Sequence, residues 1–411
     1  MRSPLPVTEE LLIHPGPALL AEVSPGRTLA DHRRRRGAPA RIGFDALQAM
    51  IEAADVRGRG GAGFPFATKL AAAARGRRPV VVVNASEGEP VSAKDSALAM
   101  VAPHLVLDGA ATAARALRAR DVHVVLPGDR PRARGLLAAA IAERDDADLR
   151  WHTSTAEPRF VAGQARAVIE LLEGRPNLPV TAWTPEAVSG YRGRPTLLSN
   201  AETWAHVGLL ALEGLAPTLA RGTHAEPGTT LLTVNVPGQP TAVHEVEHGT
   251  PLVDLLPAQA GGGPVLLGGF HGTWATWPQI ADAVVSRTGL AEAGLALGAG
   301  VVLAPGPNAC ALALTEQITG HLAAQSAGRC GPCVNGLPAL ADAVAGLRRG
   351  RPGSLERVQQ LCGLLPGRGA CAHPDGTTRL VASLLTALPH EVDAHARGRC
   401  TRAAAPIGAA R

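Results

Sequence analysis

Val56-Arg-Gly-Arg-Gly-Gly-Ala-Gly-Phe-Pro-Phe-Ala-Thr-Lys69-Leu70, followed by Val80-Val-Val-Val-Asn84-Ala-Ser-Glu-Gly-Glu89-Pro-Val-Ser-Ala-Lys94-Asp95, carries the strongest structural signal in the chain. Gly58, Gly60, Gly61 and Gly63 remove the Cβ atoms that would hold a ligand away, and let several N–H groups turn toward one anion. A helix-forming run, Ala67 to Ala74, follows, and its N-terminal dipole adds to the same site. Pro79 breaks the chain, and Val80–Val83 reads as a buried parallel strand. Its end delivers Asn84, Glu87 and Glu89 to the place where open α/β sheets bind ligands. Lys69 and Lys94 are the only lysines among 40 basic residues. A compact ammonium is not equivalent to a guanidinium fork, so lysines kept only here point to a site requirement. By themselves these residues predict a phosphate-bearing cofactor and nothing narrower.

On the N-terminal side, Phe44, Leu47, Met50 and Ile51 recur at helical spacing before the glycine loop. On the other, Ser96–Arg118 reads as helix, Asp121–Leu126 as a second buried strand and Pro131–Arg144 as helix, an alternation that predicts βαβ units on a parallel sheet. Residues 1–40, rich in Pro, Gly and Arg, read as a poorly ordered arm in which Arg33–Arg36 is a solvated run. The α/β domain is expected over 41–222. Within it, Glu157–Phe160 begins as a strand and turns at Gly163 into a helix. A small β-rich domain over 226–285 is expected from a hairpin of Leu231–Val236 with Thr241–Val246, a short helix over Pro251–Leu256 and a strand over Val265–Leu267. The last domain, 296–390, opens with a strand, Gly298–Pro305, continues with a helix, Ala309–Ala324, and ends in a small helical bundle. Residues 391–411 read as a frayed tail.

The chain has 411 residues, 46% hydrophobic but 3% aromatic, so its core must be built from Ala, Leu and Val. The net charge of +5 is spread along the chain as arginine, and no aromatic interleaving supports a nucleic-acid surface. No 18-residue apolar span free of charge and no signal-type N-terminus are found, so a cytoplasmic chain that does not span a membrane is expected. Of six cysteines, five lie beyond residue 329. In an intracellular chain that clustering reads as metal or cluster binding before disulfides. Cys310, single on its helix, reads as a small core residue.

Arg57–Pro65 and Asn84–Pro90 resemble the flavin loop and following strand end of the NADH- and FMN-binding flavoprotein subunit of respiratory complex I, and of its relatives in soluble hydrogenases and formate dehydrogenases. The resemblance implies a Rossmann-like flavin domain, a ubiquitin-like β-grasp domain of the SLBB type and a C-terminal helical iron–sulfur bundle. It implies FMN held by Gly58, Arg59, Gly60, Gly61, Ala62 and Gly63, with Lys69 on its phosphate and ribityl region and Asn84 and Asn200 on the ring or ribityl chain. Glu87 and Glu89 would flank the nicotinamide pocket, Glu89 as the catalytic candidate, and Phe64 and Phe66 would stack on the dinucleotide. Where the family has two glutamates after the turning glycine, this chain has Gln164 and Ala165. Where the family has paired asparagines, it has Ser199 and Asn200, still a neutral hydrogen-bonding pair. Trp183 lies near the family's aromatic for the dinucleotide.

The family reads Cys-x2-Cys-x2-Cys and a distant fourth cysteine around a [4Fe–4S] cluster. Here Ala327 stands first, Cys330 and Cys333 follow, and Cys371 matches the fourth. Cys362, Cys400, His321 or His373 would complete the set. Zinc is the competing ion, since two cysteines with another Cys and a His make a tetrahedral set, and an empty site is the third reading. The function implied is an NADH-dependent FMN oxidoreductase subunit that passes electrons through an iron–sulfur cluster to a partner, ferredoxin-like or another oxidoreductase subunit, in the cytoplasm or at the periphery of a membrane complex. The alternative is an FMN electron-transfer module that has lost NADH binding and is fed by a protein partner. A scaffold that keeps the fold without cofactor is the third reading.

Overall fold

The five residues Val80–Asn84 are all buried because both faces of their strand are covered. Val81 and Val83 join a core with Leu105, Leu107, Leu197 and Trp204. Val80 and Val82 face the opposite layer with Val168, Ile169 and Tyr191. Double coverage is why an unalternating valine run stands as a strand. The computed structural model describes residues 11–402. Its strands are β1 (Leu11–Ile13), β2 (Val80–Asn84), β3 (Asp121–Leu126), β4 (Arg150–Thr155), β5 (Thr196–Asn200), β6 (Thr229–Asn235), β7 (Thr241–Glu247), β8 (Val265–Leu267), β9 (Thr273–Ala275) and β10 (Val301–Leu303).

Strands β4-β3-β2-β5 form one parallel sheet, so the predicted α/β class with a parallel sheet holds. Its register sets Asn84 directly opposite Asn200. Strand β4 is not foreseen by the reading that begins a strand at Glu157. It is a polar edge strand with no buried residue, which carries no apolar alternation to read. Phe160–Gly163 is a 3-10 turn instead, leading into the helix Ala165–Leu172.

The second sheet, β1-β7-β6-β10-β8-β9, is mixed. It contains the predicted antiparallel hairpin, but β10 pairs with β6 and β8, so the strand assigned to the C-terminal domain belongs to this sheet. Pro251–Leu256 holds a 3-10 turn rather than an α-helix.

Strand β1 corrects the expectation of a disordered arm: it pairs in parallel with β7. Beyond it, Glu245 on β7 accepts the backbone N–H groups of Ala18, Leu19 and Leu20 at 3.1, 2.8 and 2.8 Å, and those three residues are buried. The arginine run lies in a helix, Leu29–Arg36, with Arg33 bonded to Asp108 and Arg36 to Glu213 and the Ala18 carbonyl. Residues 1–10 of the predicted arm lie outside the described residues. At the other end, Pro389–Ala396 is a helix rather than part of a frayed tail, and 403–411 lie outside the described residues. Five helices, Ala311–Ala324, Leu337–Arg348, Ser354–Leu364, His373–Ala387 and Pro389–Ala396, share a core that includes Leu312, Leu340, Val344, Val358, Leu380 and Val392.

The helices Pro103–Ala116 and Ala201–Glu213 touch backbone to backbone. A Cβ added at Gly109 would overlap the Trp204 carbonyl oxygen, and one at Gly208 the Leu105 carbonyl oxygen. Gly109→Ala is therefore expected to force the pair apart and cost about 1–3 kcal/mol in urea unfolding, while alanine at Gly135, where a Cβ meets nothing, is expected to cost none.

Candidate cofactor site and cysteine centre

The glycine loop leaves the helix Phe44–Ala53 and closes on itself. Gly58 N–H donates to the Phe64 carbonyl at 2.9 Å and Arg57 bridges to Pro65. Gly61 and Gly63 have φ of +108° and +60°, and the Cβ positions of Gly60 and Gly63 meet nothing, so the loop presents bare backbone. It rests on the end of β5: Arg59 N–H donates to Asn200 Oδ1 at 3.3 Å and Thr203 Oγ1 at 3.1 Å. Asn200 Oδ1 also accepts from Thr203 Oγ1 at 2.6 Å, whereas Asn200 Nδ2 is buried with no partner. That orphaned donor is the feature that asks for an acceptor from outside the chain.

Beneath the loop lies a buried charge network. Lys94 Nζ is 3.0 Å from both Asp95 Oδ1 and Glu202 Oε2, and Arg59 Nε is 3.8 Å from Glu202 Oε1. Burial works against the Lys94 ammonium, but Asp95 and Glu202 outweigh it and hold it protonated well above the usual lysine range. Burial, then the Arg59 guanidinium, push His206 down to about 3. Lys94 is thus a structural cation under the loop, locked by carboxylates. Arg59 also donates to the Thr229 carbonyl at 3.1 Å, tying the loop to the second sheet. A cavity of about 230 Å³ runs along the loop, lined by Arg57, Arg59, Gly61, Lys94, Glu202 and His248 among others.

The other sequence candidates fall into different environments. Lys69 Nζ pairs with Glu186 at 3.0 Å and reaches the Leu198 carbonyl at 3.4 Å, beside the end of β5. Asn84 spends its amide within the chain: Nδ2 donates to the Gly163 carbonyl at 2.8 Å, and Oδ1 accepts from Ser86 Oγ at 2.7 Å. It therefore positions the Gly163 turn. Gln164 stands at the start of the next helix, half-buried, with Ala165 following. Ser199 is buried and its carbonyl accepts from Trp204 Nε1 at 3.0 Å. Phe64 is 47% exposed and Trp183 is 95% exposed.

Two expectations are corrected. Phe66 is fully buried and packs edge-on against Trp204 at 5.2 Å, so its ring offers no stacking face. The Glu87 carboxylate is consumed as a helix cap: it accepts from Asp95 N–H at 3.0 Å, Ser96 N–H at 2.9 Å and the Ser92 and Ser96 hydroxyls. Glu89, by contrast, accepts Phe270 N–H at 2.9 Å on one oxygen and leaves Oε1 buried without a partner. Burial pushes it up to about 8, against the Phe270 and Val91 amides, so it carries a proton at neutral pH.

Cys330 Sγ and Cys333 Sγ are 3.3 Å apart. Burial raises Cys333 and Cys371, while at Cys330 burial is outweighed by the neighbouring Ala370 and Cys333 groups, which lower it. A pair of adjacent thiols with Cys371 close enough to act on both is the kind of donor set an iron–sulfur cluster takes.

The proposed fourth ligands separate here. His373 spends both ring nitrogens, on the Leu322 carbonyl at 2.9 Å and on His271 at 3.1 Å. Cys362 faces the Thr378 carbonyl. Cys400 lies with Cys310 and His395 instead. His321 is buried with neither ring nitrogen hydrogen-bonded.

The two sites are neighbours. The Phe160–Gly163 turn, held by Asn84, donates Phe160 N–H to Gln325 Oε1 at 3.2 Å, two residues before Ala327. On the other side, Glu89 holds Phe270, whose neighbour His271 bonds His373 beside Cys371. Gln325 and Glu202 escape sequence reading because their partners lie far along the chain. Only the position of Glu202, two residues after Asn200, offered a signal.

For FMN, the orphaned Asn200 amide and the Cβ-free loop are the right donors.

Residues 51–209 match the family described as the Nuo51 FMN-binding domain, and residues 313–395 the NADH-ubiquinone oxidoreductase-F iron-sulfur binding region. The F subunit of the NADH-quinone oxidoreductase of Escherichia coli (strain K12) is 28% identical over 375 residues, covering 85% of this chain and 84% of the relative. The corresponding F subunit of Mycobacterium tuberculosis (strain ATCC 25618 / H37Rv) is 29% identical over 387 residues, covering 86% and 85%. Among solved structures, a chain of the NAD+-reducing [NiFe]-hydrogenase in the H2-reduced state matches with a TM-score of 0.79 at 25% identity, over 93% of this chain and 67% of that one. Through both its flavin-type loop and its cysteine region, the chain resembles the family of NADH-quinone oxidoreductase F subunits.

Proposed function

We propose that this chain is an NADH-oxidising flavoprotein subunit that passes electrons from FMN to an iron–sulfur cluster and on to a partner subunit. The observation that carries the reading is the Phe160–Gly163 turn, bonded to Asn84 at the sheet end and to Gln325 at the cysteine loop, which makes the flavin-type site and the cluster-type site adjacent. FMN supplies, when bound, acceptance of a hydride and release of its two electrons one at a time. This chain's part is orientation and electrostatics. The amides of Gly58–Gly63 are the donors for the cofactor, Asn200 Nδ2 gives a fixed hydrogen bond, and Lys69 supplies a cation screened by Glu186. Glu89, neutral at pH 7, places a carboxyl next to the Phe270 loop without adding charge. Phe64 offers the exposed ring for the dinucleotide, and Gln164 takes the place of the family's first glutamate with a neutral amide. The thiolates of Cys330, Cys333 and Cys371 hold the cluster, which supplies one-electron transfer. The six-stranded sheet unit is proposed as the ubiquitin-like β-grasp element, with a docking role toward the partner. A place in the cytoplasm, at the edge of a larger complex, goes with this reading. Among the described residues no single helix is long and apolar enough to cross a membrane.

Asn200→Leu removes the orphaned donor at nearly constant volume. It is expected to weaken FMN binding about tenfold, the value of one buried hydrogen bond, in a titration following FMN fluorescence. An unchanged affinity would remove Asn200 from the site.

A further inference from the structure

Cys310, His395 and Cys400 are far in sequence from the cysteine loop and have no part in the reading above. Their ligand atoms nevertheless lie within 4.8 Å of one another. Cys310 caps the helix Ala311–Ala324 and is buried; its Sγ is 3.3 Å from His395 Nε2. His395, also buried, has Nδ1 2.9 Å from the Arg348 carbonyl. A carbonyl only accepts, so Nδ1 carries the proton and Nε2 turns its lone pair toward Cys310. A carbonyl on the far nitrogen is the usual support that fixes the ring of a metal-ligating histidine. Glu391 is a further buried group on the same helix as His395, 5% exposed. Its Oε1 accepts Leu312 N–H at 3.3 Å, while Oε2 has no hydrogen-bond donor, only the Arg402 guanidinium at 3.5 Å. Burial first, then the Glu391 carboxylate beside it, push the Cys310 thiol up to about 12. The Cys310 thiol and the His395 lone pair therefore meet in a buried corner, with the Cys400 thiol within reach of both.

We infer that Cys310 Sγ, His395 Nε2 and Cys400 Sγ form a second metal centre, for zinc or a divalent ion of similar softness, with water as the fourth ligand. Two sulfurs, one nitrogen and a water suit a four-coordinate tetrahedral ion, and the mixed thiolate–imidazole set favours zinc over magnesium or calcium. Binding releases the two thiol protons to solvent and leaves the ion with two thiolates and a neutral imidazole. Its structural effect is a clip. Cys400 is exposed and follows the last helix, so the ion ties the segment after Ala396 to the start of the helix Ala311–Ala324, closing the five-helix unit.

The test uses the full chain, purified without air with its iron–sulfur site reconstituted, so that Cys330, Cys333 and Cys371 are engaged. It is then equilibrated with zinc, passed through gel filtration and assayed for both metals. About one zinc per chain is expected beside the iron. Cys400→Ser, at an exposed position that does not threaten folding, is expected to weaken zinc binding at least about tenfold with iron unchanged. Cobalt in place of zinc is expected to show a thiolate charge-transfer band that Cys400→Ser diminishes and His395→Gln shifts. The inference is overturned if the chain retains no zinc, if zinc uptake is unchanged in Cys400→Ser, or if zinc is lost only when the Cys330 loop is altered. It is also overturned if mass spectrometry shows Cys310 and Cys400 joined as a disulfide under these reducing, anaerobic conditions.

Discussion

Asp108→Ala is expected to lower the unfolding free energy by about 3–5 kcal/mol, because it removes the buried acceptor shared by two guanidiniums and an imidazole. Asp108 is fully buried on the helix Pro103–Ala116 and takes Arg33 at 2.6 and 2.8 Å, Arg144 at 2.7 Å and His32 at 2.9 Å. The Arg144 side chain is 1% exposed, with Asp146 at 2.6 Å as its other partner. Burial alone would raise the Asp108 carboxyl, but Arg33, His32 and Arg144 outweigh it and hold it far below the usual range. A depressed carboxyl contributes stability that is fully present above its unfolded value of 3.8 and is lost as pH falls toward the folded one, so the cost of the substitution should be constant from pH 5 to 8. Arg33→Ala is the internal control: that side chain is 26% exposed, and its loss should cost clearly less. Urea unfolding at pH 7 decides the matter. A cost under ~1 kcal/mol for Asp108→Ala would show that the network adds little.

Ala327→Cys is expected to convert a three-cysteine site into the complete ligand set. Ala327 precedes Cys330 by three residues, the same spacing that separates Cys330 from Cys333. With three thiolates, one iron depends on a non-cysteine ligand and is the first lost. With four, iron should rise to about four per chain after anaerobic reconstitution and survive exposure to air many times longer. Iron and sulfide analysis with the decay of visible absorbance in air checks this. Equal lability of the two forms would mean that another residue already supplies the fourth ligand, and Cys362 and His321 would be tested next.

What the sequence makes legible is local. The valine run, the glycine loop and the Cys330–Cys333 pair are each explained by neighbours within a few residues, and each stands where expected. What escapes is set by distant partners. Strand β1 is three residues long and exists because Glu245, more than two hundred residues away, captures the turn that follows it. Strand β4 is an exposed edge, so hydropathy carries no trace of it. Phe66 could have been placed correctly: Phe66, Leu70 and Ala73 share a helical face and all are buried, which extends the helix one residue back from the predicted start at Ala67 and takes the ring into the core. Glu87 could not, because its side chain caps a helix that begins seven residues later, after a left-handed turn at its own φ of +44°. In the candidate site, residue types were readable, but the partition of carboxylates into cap, counter-ion and protonated acid depended on burial.

Whether NADH delivers electrons to a flavin beside an iron–sulfur cluster on this chain is decided by one anaerobic absorption spectrum. The protein is reconstituted with FMN, iron and sulfide, and the spectrum is taken before and after adding NADH. Flavin peaks over a broad cluster shoulder, both bleached by NADH, are the predicted result. Flavin that light reduces but NADH does not would contradict it and assign Gln164 and Ala165 to a module fed by a protein partner, and a chain that retains no flavin would end the oxidoreductase reading.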